Sequence, residues 1–187
     1  MLQNPFKPNP QKRDLKVIRD VLAGEKSRFS ELVIEYAPRV KAFARRFFRN
    51  DGDLDDLLQD VFVKAYSNLG TFRGKSLFST WLLRITYTTA INLLNRTRTD
   101  LPLPEYFDEP SPNATPDEVH MRELAVTAVR EAVSDLPEVC RQCIHMYFFD
   151  GLQYSEIAEI LDLPLNTVKS HIFRAKKNLS EKLKDEK

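Results

Sequence analysis

The sequence predicts an all-α protein: two small helical domains joined by an acidic, proline-rich linker, the C-terminal one a helix-turn-helix. Three observations carry that prediction. Apolar residues recur every three or four positions along most of the chain, with no period-2 alternation of useful length. Five prolines fall within residues 99–116 among Asp, Glu, Ser and Asn, where little can pack. Near the C-terminus, two helical stretches are separated by the breaker Asp162-Leu163-Pro164. With 187 residues, 42% hydrophobic and 29% charged, the chain suits two small soluble domains.

Residues 1–13, rich in Pro and Lys, read as a disordered N-terminus. The first domain is expected over 14–98. A short helical pattern from Leu15 to Leu22 is stopped by Gly24. Phe29, Leu32, Val33, Tyr36, Val40, Phe43, Ala44 and Phe47 then share one helical face, with Pro38 predicting a kink or a restart. Asn50-Asp51-Gly52-Asp53 reads as a turn cluster. Leu54, Leu57, Leu58, Val61, Phe62 and Ala65 restore the period, with Asp55, Asp56, Gln59 and Asp60 on the opposite face. Residues 71–76 read as a loop, and a further helix runs from about Ser79 to Arg96. After the linker (99–115), Thr115-Pro116-Asp117-Glu118 forms a capping-box pattern that opens a second domain over 116–187. Its helices are expected near 116–134, 137–149, 155–162 and 166–183, with Gly151 as a left-handed stop and Ser155 as an N-cap.

The helix-turn-helix is the sharpest signal. Ile157, Ala158 and Leu161 make a short apolar face, Ala158 being small where two helices cross. Val168, Ile172, Ala175 and Leu179 give the second helix its core stripe. Asp162 stands where glycine is common, and aspartate tolerates left-handed geometry. Thr167, Lys169, Ser170, His171, Arg174 and Lys177 are left for solvent or a DNA groove, where polar groups read base edges and cations neutralise phosphates.

Charge is unevenly spread. Residues 1–100 carry 18 Lys/Arg and 11 Asp/Glu (+7), residues 101–163 carry 3 and 13 (−10), and residues 164–187 carry 7 and 3 (+4). Residues 61–99 contain no acid, and interleave Lys64, Arg73, Lys75, Arg84, Arg96 and Arg98 with Phe62, Tyr66, Phe72, Phe78, Trp81 and Tyr87. Cations beside aromatic surfaces are what single-stranded DNA requires, although Phe62 and Trp81 read better as core. Five acids within residues 51–60 make the preceding helix either a solvated face or a dock for a basic protein.

Four motifs then stand in order: Asp55-Asp56-Leu57-Leu58-Gln59-Asp60 through Tyr66; Phe72-Arg73-Gly74-Lys75 with Thr80-Trp81-Leu82-Leu83-Arg84-Ile85; Leu136-Pro137-Glu138; and the helix-turn-helix with Thr167-Val168-Lys169-Ser170. Together they resemble the extracytoplasmic-function sigma factors, small bacterial transcription initiation factors of the sigma-70 family, over about residues 14–183. The resemblance implies region 2 at 14–98 and region 4 at 116–187. It implies docking of Asp55, Asp56, Gln59 and Asp60 on the clamp of the largest subunits of core RNA polymerase. It implies capture of a flipped minus-ten base and strand melting by Asn68, Phe72, Arg73, Lys75, Arg84, Thr88 and Asn92. It implies minus-thirty-five reading by Thr167, Lys169, Ser170, His171, Phe173, Arg174 and Lys177, with the linker in the polymerase's RNA-exit path. His171 stands where the family commonly has Arg, and Thr88 where relatives often have Asn. With no further sensing domain after Lys187, regulation by an anti-sigma factor is expected. The free chain is expected to be a monomer, cytoplasmic, and held at the inner membrane at most through that inhibitor.

Cys140-Arg141-Gln142-Cys143 followed by His145 raises zinc or redox chemistry. On a helix His145 falls ~140° from Cys140 and ~200° from Cys143, so the three do not converge, and the cysteines read as core. No Ser/His/Asp set, carboxylate pair or nucleotide loop is recognisable, so no catalytic residue, metal or cofactor is expected. No apolar run approaches the ~20 residues of a membrane span, and no export signal opens the chain. Two cysteines fit a reducing compartment. A two-component regulator binding duplex operators is the competing class. Its receiver would alternate strands and helices, which residues 14–98 do not. A protein-only adaptor would have no use for the basic helix at 164–187.

Overall fold

The computed structural model describes residues 10–48, 50–97 and 115–185, so the expected linker over 99–115, apart from Thr115, lies outside the described residues. These residues divide into two compact units on either side of that linker. Among them there is no strand.

The first unit holds α1 (Pro10–Leu22), α2 (Phe29–Ala44), α3 (Asp51–Ser67) and α4 (Phe78–Thr97), with single 3-10 turns at Lys26–Arg28 and Leu69–Thr71. α1 starts at Pro10, so residues 10–13 are helical and not part of a disordered tail. Proline suits a first helical position, where its missing N–H costs nothing. α2 runs unbroken through Pro38 and ends at Ala44. Phe47 reaches the core from the turn that follows, whose N–H bonds back to Ala44. The expected turn cluster at 50–53 is instead a helix start. Asn50 is the N-cap of α3 and accepts the Gly52 N–H at 3.0 Å, while Asp51 and Asp53 occupy the first turn, where the helix dipole favours them.

α2, α3 and α4 pack on one another around Leu32, Val40, Leu57, Val61, Phe78 and Ala90. α1 lies on α2 through Val17, Ile18 and Val21. It also carries one buried charge: the Asp14 carboxylate accepts from the Tyr36 hydroxyl and from Arg13. Burial, and then that bond to a carboxylate, raise the Tyr36 phenol.

The second unit holds α5 (Pro116–Ser134), α6 (Glu138–Phe148), α7 (Tyr154–Leu161) and α8 (Leu165–Asp185). α5, α6 and α7 all pack on α8. Leu136, Cys143, Ile144, Met146, Ile157, Val168 and Ile172 form the core. Gly151 takes the expected left-handed conformation at φ +64°, and Leu152 then bonds back to the Met146 carbonyl at 3.0 Å. α7 begins at Tyr154, not after Ser155. Its N-cap is Gln153, whose N–H is accepted by the Glu156 side chain at 2.9 Å, and this leaves Ser155 inside the first turn.

Candidate functional site

Three surfaces follow from these packings. The first is the outer face of α3. Leu54, Leu57, Val61 and Ala65 are buried, which fixes the rotation of the helix and turns Asp55, Asp56, Gln59 and Asp60 to solvent. Asp55 is not idle there: Lys41 of α2 donates to it at 3.0 Å. Beside this face lies an open, apolar groove of about 500 Å³ between α2 and α3, lined by Phe29, Val33, Leu58, Gln59, Phe62 and Tyr66. The Tyr66 ring meets Phe29 edge-on at 5.1 Å. Phe62 and Tyr66 thus border the acidic face. They follow the core residues Val61 and Ala65 directly, and that adjacency is the sequence signal for their place.

The second surface joins the end of α3, the loop after it and α4. Asn68 caps α3, its amide donating to the Lys64 carbonyl at 2.8 Å, and stays exposed. Phe72 is half-buried, edge-on to Phe78 at 5.5 Å and 5.4 Å from Trp81. It anchors the loop more than it offers a free stacking face. Arg73 and Lys75 on either side are exposed. Between them Gly74 sits at φ +67°, with Leu15 of α1 packed against it. On α4, Trp81, Arg84, Thr88 and Asn92 follow one another at helical spacing along one side. Trp81 and Arg84 are half-buried, whereas Thr88 and Asn92 are exposed. The Thr88 hydroxyl bonds back to the Arg84 carbonyl at 3.0 Å, so its oxygen remains available as an acceptor. Tyr87 turns away, 6.0 Å from Phe47.

The third surface is α8. Asp162 ends α7 at φ 56°, ψ 43°, and Leu163 bonds back to Ala158 at 2.9 Å, so aspartate performs the left-handed stop expected of it. The Pro164 carbonyl accepts the first bonds of α8. Val168, Ile172 and Ala175 are buried, which leaves Lys169, Ser170, Phe173, Arg174 and Lys177 exposed, Phe173 at 70%. Thr167 is half-buried in the first turn. His171 departs from its expected place: it is half-buried, and its Nδ1 lies 3.3 Å from the Cys140 Sγ of α6. The spacing 168/171/172/175 already puts it on the edge of the core stripe. Lys176 is drawn over the rings of Tyr147 (4.7 Å) and Phe148 (5.1 Å).

Cys140 and Cys143 are both buried and unbridged. Burial raises both thiols, Cys143 to about 12. His145 is buried apart from them, its Nδ1 3.5 Å from Asp150. Among the described residues no cluster of three or more His, Cys, Asp or Glu side chains is placed to hold a metal ion, and no helix is long and apolar enough to cross a membrane.

Comparison with known proteins places these surfaces in context. Residues 32–99 match Sigma-70 region 2, and residues 127–179 match Sigma-70, region 4. The chain is 33% identical over 183 residues to the RNA polymerase sigma-H factor of Pseudomonas aeruginosa, covering 92% of this chain and 95% of that one. It is 34% identical, with the same coverage, to the ECF RNA polymerase sigma-E factor of Escherichia coli. In fold it is similar to CnrH, solved with the cytosolic domain of CnrY (TM-score 0.61, 24% identity, 91% of this chain and 97% of that one). It is also similar to the sigma factor RpoE of Bartonella quintana, solved with the anti-sigma factor NepR (TM-score 0.55, 22% identity, 83% and 96%).

Proposed function

The chain belongs to the extracytoplasmic-function sigma factors of the sigma-70 family, and from that premise we propose how its three surfaces divide the work of initiation. As a transcription initiation factor it binds core RNA polymerase, directs it to promoters and promotes melting of the DNA. The outer face of α3, with Asp55, Asp56, Gln59 and Asp60, docks on a basic surface of the polymerase clamp. Anionic groups held exposed by a buried helix face gain association rate and orientation from a basic partner. Asn68, Arg73, Lys75, Thr88 and Asn92 capture the non-template strand at the minus-ten element, with Phe72 anchoring the loop and Arg84 lying along the same stripe. Extruding a base costs a few kcal/mol, which contacts from both units and the polymerase must offset. The exposed face of α8 reads the minus-thirty-five element through Lys169, Ser170, Phe173, Arg174 and Lys177, with Thr167 in the first turn. The acidic linker occupies the polymerase's basic RNA-exit path. An anti-sigma factor holds the chain inactive in the cytoplasm. No chemistry is assigned to the chain itself.

One observation carries this reading. A single chain combines an exposed acidic helix face, a basic loop bordering an aromatic cluster, and a recognition helix entered through a left-handed stop. The test is run-off transcription with purified core polymerase and mapping of start sites. Addition of the chain yields a new position-specific transcript. Its absence from every natural template tried would refute the reading.

A further inference from the structure

Cys140 and Cys143 form the one sequence motif that the reading above leaves without a task. Cys143 faces only the core, with none of its surface exposed. Cys140 is different: its Sγ sits 3.3 Å from Nδ1 of His171, on the helix proposed to read DNA. His171 lies one turn before Arg174, so the two share an edge of α8. Arg174 is also close enough to Cys140 to pull its thiol downward, against the larger upward push of burial.

The chemistry of this contact is directional. A thiol raised by burial keeps its proton at neutral pH and so has one to donate, whereas its sulfur is a weak acceptor for a ring N–H. A neutral imidazole carries one proton, and the nitrogen that accepts a bond is the one without it. With the thiol as donor, Nδ1 is committed to α6 and Nε2 is the ring nitrogen that carries the proton.

We infer that Cys140 is a positioning residue for promoter recognition: through Sγ–H···Nδ1 it holds His171 in one rotamer and in the tautomer protonated at Nε2, giving α8 a fixed N–H donor beside Arg174. This inference rests on the reading of α8 as the minus-thirty-five helix. It turns the misplacement of His171 into a device. A cation that only neutralised phosphate would need no such orientation, whereas a donor reading a base edge or one phosphate oxygen does. The same logic of a neighbour setting a histidine's tautomer applies at metal and catalytic sites.

The test has a spectroscopic arm and a functional arm. The full chain, 15N-labelled at histidine, is examined at a pH where the rings are neutral. His171 is expected to carry its proton on Nε2. Cys140→Ser, which keeps a donor, preserves that tautomer; Cys140→Ala yields a mixture. In reconstituted holoenzyme, discrimination between an intact and a scrambled minus-thirty-five element falls about 3- to 10-fold in Cys140→Ala and in His171→Ala, the scale of one lost hydrogen bond. The double variant loses no more than His171→Ala alone, because both changes remove the same contact. Cys140→Ser restores most of the discrimination even if its thermal midpoint drops with that of Cys140→Ala. A proton found on Nδ1, a tautomer indifferent to Cys140→Ala, or losses that add in full would overturn the inference. If Lys169→Ala and Arg174→Ala lose discrimination while His171→Ala keeps it, the inference fails and the reading of α8 stands. If all three keep it, the reading of α8 fails.

Discussion

Replacing Gly74 with alanine separates backbone strain from side-chain contact at the loop that carries Arg73 and Lys75. At φ +67° an added Cβ meets left-handed strain of about 1–2 kcal/mol. That Cβ would also stand 3.2 Å from Leu15 Cδ2, closer than comfortable packing. Leu15 is half-buried and able to shift, so this second term falls at the low end of overpacking costs, about 1 kcal/mol or less. The sum, about 2 kcal/mol, lowers the melting midpoint of the first unit by roughly 10 °C. The one tryptophan of the chain, Trp81, lies 5.4 Å from Phe72, so its fluorescence reports unfolding at the loop itself. Gly151→Ala is the control in the second unit: φ is +64° and nothing stands within 4 Å of the new Cβ, so only the strain term applies. Leu15→Ala in the Gly74→Ala background removes the contact and leaves the strain. Both glycine variants costing the same, with no relief from Leu15→Ala, would refute the contact. A loss below ~0.5 kcal/mol in both would refute the strain as well.

Further outcomes are expected. Asp56→Lys with Gln59→Ala abolishes co-purification with core polymerase and leaves the far-ultraviolet circular dichroism unchanged, since both positions are exposed. Arg174→Ala weakens the minus-thirty-five contact by ~1–3 kcal/mol, visible as a fainter upstream footprint of the holoenzyme. Cys143 holds its proton to about pH 12 when folded and releases it near the ordinary thiol range when unfolded. Its contribution to stability is therefore complete below about pH 8.5 and declines as pH rises toward the folded value, and Cys143→Ala shallows that alkaline decline in a series of melts. The free chain binds promoter duplex poorly in a gel-shift assay, because the acidic linker competes for its basic surfaces; tight binding without polymerase contradicts this.

The helical faces were legible because burial on α2, α3 and α8 obeys a period the chain states openly, and Asp162 was legible because few residues accept its backbone angles. Helix starts were less so. Gln153 is a weak cap on paper and acts as one only because Glu156 reaches back to it. Phe72 was undecidable in sequence: an aromatic beside Arg73-Gly74-Lys75 carries no direction until Phe78 and Trp81 close on it. His171 was misplaced because its polarity outweighed its position between Val168 and Ile172 on the core stripe. The groove at Phe62 and Tyr66 needed two helices to exist, and no single periodic pattern announces a space between elements.

The bridge between Lys41 and Asp55 gives the acidic helix a resident rival for any visitor. An approaching cation gains from Asp55 only by displacing a lysine already in place, so weakly basic surfaces profit little and strongly basic, well-shaped ones profit most. Removing the rival, as in Lys41→Ala, makes the helix stickier and less choosy at once.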